Sequence, residues 1–308
     1  MKPALALAVV AALLPAVAGA ASVRSVTAPA VVSALAFEGG RVAYATGFSA
    51  GDCNRVFVWN LATRGVSKLG RKTHCEQTST GNAVESVSIA GTRVLWVHYA
   101  GGNLREWSLW TATTSLPSPS RVAAVTRDVD APAPIVIGPG ESTKQGDLLP
   151  YAVDRRVVAL RANGSRRFTW TAPGRVTALA AAGGALGVAS AGGVVTVLDA
   201  AGRVERTETF TGEVSTVRLA GAAVLAQVGR RLVLRQGADR SWLLPAGARL
   251  EDANARDAFY AAGGQLRRLR LANGALRVLG LGSRLRVDET RFASTAGRRV
   301  VVQALPSG

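Results

Sequence analysis

Reactive side chains are scarce in this sequence. Its 308 residues include two cysteines (Cys53, Cys75), two histidines (His74, His98), one methionine and only four lysines (Lys2, Lys68, Lys72, Lys144). A structural zinc site takes closely spaced Cys and His pairs, and Cys53, Cys75, His74 and His98, the whole supply, are not spaced in that way. Past residue 20 no apolar run reaches the roughly 20 residues that a membrane-spanning helix needs. Asp and Glu number 20 against 37 basic residues. No G-x-x-x-x-G-K-[ST] run is present; Gly138-Pro139-Gly140-Glu141-Ser142-Thr143-Lys144 has the ingredients in another order, with no helix to follow. The sequence therefore predicts neither a metal nor a cofactor.

Nearly half the residues are apolar, enough for a sizeable core and against disorder. The net charge of +17 is carried almost wholly by arginine. The arginines are spread evenly, at alternating positions or beside turns. That distribution reads as a solvated outer surface and argues against nucleic acid. Residues 1–20 read as a signal peptide, with Lys2 as the basic start, an apolar stretch over 4–17 and Ala18-Gly19-Ala20 as the cleavage site. The remainder, 21–308, is expected to be exported to the cell exterior or envelope as a soluble monomer without a transmembrane segment. In an oxidising compartment an isolated cysteine pair reads as a disulfide, Cys53–Cys75.

Alternating apolar runs punctuated by Gly, Asn and Asp recur along the whole chain. The best-formed unit has runs at 32–37, 41–46, 55–60 and 66–69. The second has 84–89, 93–99, 104–110 and 121–125. The third is irregular, with 135–138, a long loop 139–147, then 148–153, 156–160 and 165–170. The fourth is 176–181, 185–190, 194–199 and 203–207. The fifth is 214–219, 223–227, 231–235 and 241–244, and the sixth 249–253, 258–262, 265–270 and 275–279. Three runs close the chain, at 284–288, 291–295 and 298–305, while a spare run lies at 22–26. A period of about 40 residues with four strands per unit is that of a β-propeller blade. The spare first strand would complete the last blade and remove the open edges. The expected fold is all-β, a seven-bladed propeller of four-stranded antiparallel blades.

Val56-Phe57-Val58-Trp59-Asn60-Leu61-Ala62-Thr63-Arg64-Gly65 resembles the end of a WD40 repeat, and Trp107-Ser108-Leu109-Trp110-Thr111-Ala112-Thr113 echoes it. The mature chain thus resembles the WD40/YVTN/TolB-like propeller superfamily. The resemblance implies the fold and a bias towards binding; fold alone does not imply function. Asn60 stands where the WD aspartate would be, and no Gly-His pair precedes a unit, so the His–Ser–Asp–Trp network of true WD40 blades is not expected.

Other motifs are weaker. Gly47-Phe48-Ser49-Ala50-Gly51 matches G-x-S-x-G, but a strand follows where the nucleophile elbow needs a helix. Asp128-Val129-Asp130 lacks the further ligands calcium prefers. Glu85, Glu106, Glu251 and Asp252 are the acids that a glycosidase reading would use. The tryptophans of the first two units are expected in the core, and Asn163-Gly164 and Asn273-Gly274 in turns.

In an up-and-down blade, the second-to-third-strand loops and the blade-to-blade loops open on one face. Cys53 and Cys75 fall in one loop of each kind at the first blade, where a disulfide closing about twenty residues would contribute roughly 3 kcal/mol. Arg71, Lys72, His74, Glu76, Asp128 and Asp130 share that face and are the expected binding residues. The functional expectation is a non-catalytic binding or scaffold module for a protein partner or an anionic cell-envelope polymer. A propeller hydrolase or lyase working at the channel mouth, or a purely structural envelope protein, are the alternatives.

Overall fold

A computed structural model describes residues 23–47, 55–70, 78–79, 81–142, 147–236, 238–288 and 290–306. They contain 28 strands. A short first strand, β1 (Arg24–Thr27), precedes six sequential blades. Blade 1 is β2 (Val32–Glu38), β3 (Arg41–Thr46), β4 (Val56–Asn60) and β5 (Val66–Leu69). Blade 2 is β6 (Asn82–Ala90), β7 (Arg93–Gly101), β8 (Leu104–Thr113) and β9 (Ser120–Asp128). Blade 3 is β10 (Ile135–Ile137), β11 (Leu149–Val153), β12 (Arg156–Leu160) and β13 (Arg166–Thr171). Blade 4 is β14 (Val176–Ala182), β15 (Ala185–Ser190), β16 (Val194–Leu198) and β17 (Val204–Thr209). Blade 5 is β18 (Val214–Ala220), β19 (Ala223–Val228), β20 (Arg231–Gln236) and β21 (Ala238–Leu243). Blade 6 is β22 (Arg249–Ala253), β23 (Asp257–Ala262), β24 (Gln265–Arg270) and β25 (Leu276–Leu281). Blade 7 takes β26 (Arg284–Asp288), β27 (Arg291–Ala296) and β28 (Arg299–Ala304) from the C-terminus and β1 from the N-terminus, in the order β1-β28-β27-β26. Arg24 to Thr27 pair antiparallel with Val302 to Arg299.

The sequence-based strands coincide with these to within a few residues. The chief difference is β9, which runs on to Asp128, so that this aspartate ends a strand and does not open a loop. Two-residue turns such as Gly39-Gly40 and Gly183-Gly184 have positive φ at both positions (56° and 74°; 62° and 79°). That is the type I′ geometry whose twist matches antiparallel strands, and only glycine adopts it without strain.

Sheets of this kind bury both faces, and the core is correspondingly divided. Seven apolar clusters fill the seven junctions between neighbouring blades. Val32, Leu35 and Phe37 of blade 1 pack against Ala293, Val300 and Val302 of blade 7, which closes the ring. The junction between blades 6 and 7 is the leanest, with Phe259, Leu266, Leu285 and Phe292 as its buried members.

Many arginines turn out to be fasteners. At four of the seven junctions a guanidinium reaches a carbonyl of the neighbouring blade's turn between its third and fourth strands. Arg93 donates to Ala162 (2.7 Å), Arg167 to Ala200 (2.7 Å), Arg240 to Ala272 (2.9 Å) and Arg24 to Leu61. A second set ties the ends of single blades, with Arg155, Arg230 and Arg298 donating to Ala172, Leu244 and Ala28. A planar fork with five donors suits carbonyl pairs better than an ammonium does, which accounts for arginine over lysine at these junctions. The charge is thus partly internal wiring, beyond the solvated surface expected from its even spread.

Candidate functional site

The first strands of the seven blades, β2, β6, β10, β14, β18, β22 and β26, line a central channel of about 520 Å³. Each presents an unpaired strand edge to it, so backbone N–H and C=O groups are available there to water or a ligand. The face holding the blade-to-blade connections is called upper below, and the opposite face lower.

Five inner strands carry a bulge near their upper end. The paired residues skip Ser33, Glu85, Thr177, Ser215 and Glu251 respectively. A bulge re-aims one side chain and bends the strand. At three of them the freed side chain bridges to the next blade: Ser33 Oγ donates to Val84 O (3.3 Å) and Thr177 Oγ1 to Val214 O (2.8 Å), while Glu251 Oε2 accepts from Leu285 N (3.5 Å).

The lower rim is acidic, and backbone amides occupy its acids. Glu38 accepts from Gly91 N (3.0 Å) and Ser142 N (3.1 Å), and Glu141 from Gly183 N (2.7 Å) and Gly184 N (3.0 Å). Asp288 accepts from Arg291 (3.0 Å) and from Gly40 N at 3.4 Å. Each carboxylate thereby clamps a turn of another blade. Burial pushes Glu38 above the usual carboxylate range, against the two amide bonds, which pull it down. Gly138 and Gly140 owe their presence to close packing: a Cβ on Gly140 would meet Ile89 O at 2.3 Å, and one on Gly138 would meet Leu179 O at 2.7 Å. The 138–142 stretch is therefore a junction between blades, and among the described residues no helix follows it to receive a phosphate.

The wall between blades 5 and 7 is basic. Glu251, 1% exposed, holds Arg249 (Nε 2.6 Å, Nη2 2.5 Å) and Arg286 (Nη1 3.1 Å). Asp252 pairs with Arg218 (3.3 Å) and accepts from Val287 N (2.8 Å). Arg218 also donates to Glu251 O (2.6 Å). Burial, with Arg286 adding repulsion, pulls the Arg218 guanidinium down to about 10. Glu251 and Asp252 are thus ion-paired wall residues.

Glu85 lies on the channel wall at blade 2. It meets water in the channel, yet desolvation by the surrounding walls pushes its carboxyl up, while Arg105 pulls it down. Arg105 is stacked over Tyr99 (4.5 Å to the ring centre) and Trp107 (5.7 Å) at the upper end of the same blade. Gly101 N donates to Thr78 Oγ1, and Thr78 Oγ1 donates to Gly81 O, which ties the end of the blade 1–2 connection onto the β7–β8 turn.

Asp128 Oδ1 accepts from Asp130 N (3.0 Å), an Asx turn beside β9, with both residues exposed on the upper face. Glu106 is on β8, in an exposed pair with Arg121. His98 shares a hydrogen bond with Asn82 (2.6 Å). Trp59, Trp96 and Trp107 are buried, as a packing role requires. Asn60 caps the turn after β4, its Oδ1 accepting from Ala62 N (2.9 Å). Arg71, Lys72, His74, Glu76, Cys53, Cys75, the central Ser49 of G-x-S-x-G and the signal sequence all lie outside the described residues. Among the described residues no three His, Cys, Asp or Glu side chains gather as a metal site, and no helix is long and apolar enough to cross a membrane. Sequence reasoning missed Arg218, Arg249, Arg284 and Arg286; the available signal was the charged run Arg249, Glu251, Asp252 within one inner strand.

No protein-family model matches this chain, and no curated protein does. Solved structures do. A chain of the mitotic checkpoint complex superposes with a TM-score of 0.59 at 14% identity, over 100% of this chain and 99% of that one. Raptor from Chaetomium thermophilum gives 0.57 at 12%, over 92% of this chain and 28% of that one. BamB from Moraxella catarrhalis gives 0.55 at 13%, over 90% and 86%. Seven four-stranded antiparallel sheets closed by the first strand, with these neighbours, make the fold a WD40-like seven-bladed β-propeller.

Proposed function

We propose that the protein is an exported, non-catalytic binding module, a rigid ring whose upper face over blades 1 and 2 holds a protein partner or an anionic polymer of the cell envelope. The observation that carries this reading is the make-up of that face. The connections from Thr46 to Val56 and from Leu69 to Asn82 both open on it, whereas Gly229 and Arg230 alone join β19 to β20. The second of these connections is tied down at Thr78–Gly81 beside the Arg105–Tyr99–Trp107 stack, so the loop carrying Arg71, Lys72, His74 and Glu76 starts and ends on rigid strands. Long loops on a rigid scaffold are where binding residues concentrate. Fold neighbours that include a chain of a multiprotein complex are consistent with a scaffold role. The channel carboxylates Glu38, Glu141, Asp252 and Asp288 are each engaged by amides or arginines, which favours binding over general acid–base chemistry at the mouth.

The test is retention of the mature chain on isolated cell wall, with a pull-down from envelope extract alongside. Replacing Arg71 and Lys72 together by alanine weakens retention if the polymer is the partner; unchanged retention with a lost pull-down band assigns the face to a protein, and no change in either refutes the reading. The Cys53–Cys75 bridge belongs to the same proposal: thiol labelling under denaturing, non-reducing conditions should find no free thiol, and two would refute it.

A further inference from the structure

The wall between blades 5 and 7 holds more positive charge than its carboxylates neutralise. Arg218, Arg249, Arg284 and Arg286 converge there, and Glu251 and Asp252 are the acids among them. Asp252 is taken by Arg218, and Glu251 is shared by Arg249 and Arg286. Arg284 is left over. Its side chain lines the channel at the first position of β26, and it makes no hydrogen bond or ion pair with any described residue. Burial pushes its pKa down, and repulsion from Arg249 and Arg286 outweighs the attraction of Glu251, which those two arginines already share. A half-buried guanidinium with its donors idle, beside two like charges, costs stability unless something in the channel answers it. The acids of the lower rim do not: Glu38, Glu141 and Asp288 are occupied by turn amides or by Arg291.

We propose that Arg284, with Arg249 and Arg286 beside it, is the anchor of a ligand site in the central channel for a small molecule bearing an oxyanion, a phosphate or a carboxylate group. Such a group accepts two parallel N–H bonds from the guanidinium fork. The unpaired edges of the inner strands supply further amides and carbonyls around it, and about 520 Å³ accommodates a metabolite-sized ligand. The site is separate from the upper-face loops and does not depend on the partner proposed for them.

The full chain is titrated with inorganic phosphate and, separately, with citrate, at ionic strength held constant with potassium chloride, and the melting temperature is recorded. One of the anions should stabilise the wild type saturably; which one does so separates phosphate from carboxylate recognition. Arg284→Gln should weaken that response about tenfold or more, as loss of a charge-assisted bidentate contact does. Arg284→Lys should fall between the two, and Arg231→Gln, an exposed arginine on β20, should respond as the wild type. Without ligand, Arg284→Gln should melt at or above the wild-type temperature, because it removes a repelled charge. A lower melting temperature for ligand-free Arg284→Gln would mark Arg284 as structural. That result, no saturable response to either anion, or an undiminished response in Arg284→Gln would each overturn the proposal.

Discussion

Glu251→Gln removes a charge on which the wall between blades 6 and 7 depends. Glu251 is 1% exposed, receives two bonds from Arg249 (2.6 and 2.5 Å) and one from Arg286 (3.1 Å), and accepts from Leu285 N at 3.5 Å. Glutamine fits the space but leaves both guanidiniums without a counter-charge. Breaking a buried pair from one side costs about 3–5 kcal/mol when the orphaned partner stays desolvated; Arg286 does so, whereas the Arg249 side chain is 47% exposed and regains water, which puts the expected loss at about 3 kcal/mol. Against a total stability of about 5–15 kcal/mol this is a large fraction. With a urea slope of about 3 kcal/mol/M, the midpoint should fall by about 1 M. Glu106→Gln is the matched control. It breaks a 3.4 Å pair with Arg121 in which both side chains are more than half exposed, and it should cost about 0–1 kcal/mol. Added salt should shrink the Glu106 effect proportionally more than the Glu251 effect, since screening acts on exposed charge and Glu251 and Arg286 are largely buried. Urea unfolding followed by tryptophan fluorescence reads both. If the two variants lose the same midpoint, the wall between blades 6 and 7 is not held by Glu251.

Removing residues 23–27 takes away β1 and uncovers the Val300 and Val302 side of blade 7, so the shortened chain should lose its cooperative melt or aggregate; an unaltered melting curve would mean that β1 does not close the ring. Gly140→Ala should destabilise more than Gly183→Ala: the first drives a Cβ to 2.3 Å from Ile89 O, while the second meets only left-handed φ strain of about 1–2 kcal/mol in open space. Thermal melts that rank them the other way would contradict the packing at 138–142. For Glu85 the folded-state pKa lies above the unfolded value near 4.5, so the folded protein binds its proton more tightly and wild-type stability declines as pH rises through and above that value. Glu85→Gln should therefore match the wild type at low pH and melt above it at neutral pH, and a wild type that gains on the variant with rising pH would reverse the sign.

The strands were legible because their signals are local. Turn pairs such as Gly183-Gly184 and the alternation in Val194–Leu198 set boundaries without reference to the rest of the chain, and even the irregular third blade falls where its β-branched runs do. Ring closure was legible by counting, from three strands at one end and one at the other. The wiring between blades was not. Whether Arg167 is solvated or bonded to Ala200 depends on the register of two separate sheets, and no spacing within one strand encodes that. Glu251 and Asp252 could be flagged as acids but not assigned, because their partners Arg218 and Arg286 come from blades on either side. A polar residue after a large aliphatic one (Val32-Ser33, Val84-Glu85, Val176-Thr177, Val214-Ser215, Leu250-Glu251) marks each of the five inner-strand bulges, a pattern shared by five of the seven blades and readable in the sequence.

The pairing of Arg24–Thr27 with Arg299–Val302 has a kinetic side. Every other strand pair joins neighbours in the chain and closes a short loop, which is fast. This one joins the first strand to the last and must wait until the rest of the sequence is in place. Blades 1 to 6 are free to nucleate in any order, each from its own hairpins, but the seventh waits for both ends of the chain. Until it forms, β28 has a bare edge and the arc of blades an unsealed junction at Val32, Leu35 and Phe37, the configuration in which two chains can pair in place of one. Refolding should therefore show fast acquisition of β-structure followed by a slower step, and the dimer or aggregate yield should rise with protein concentration during that step alone.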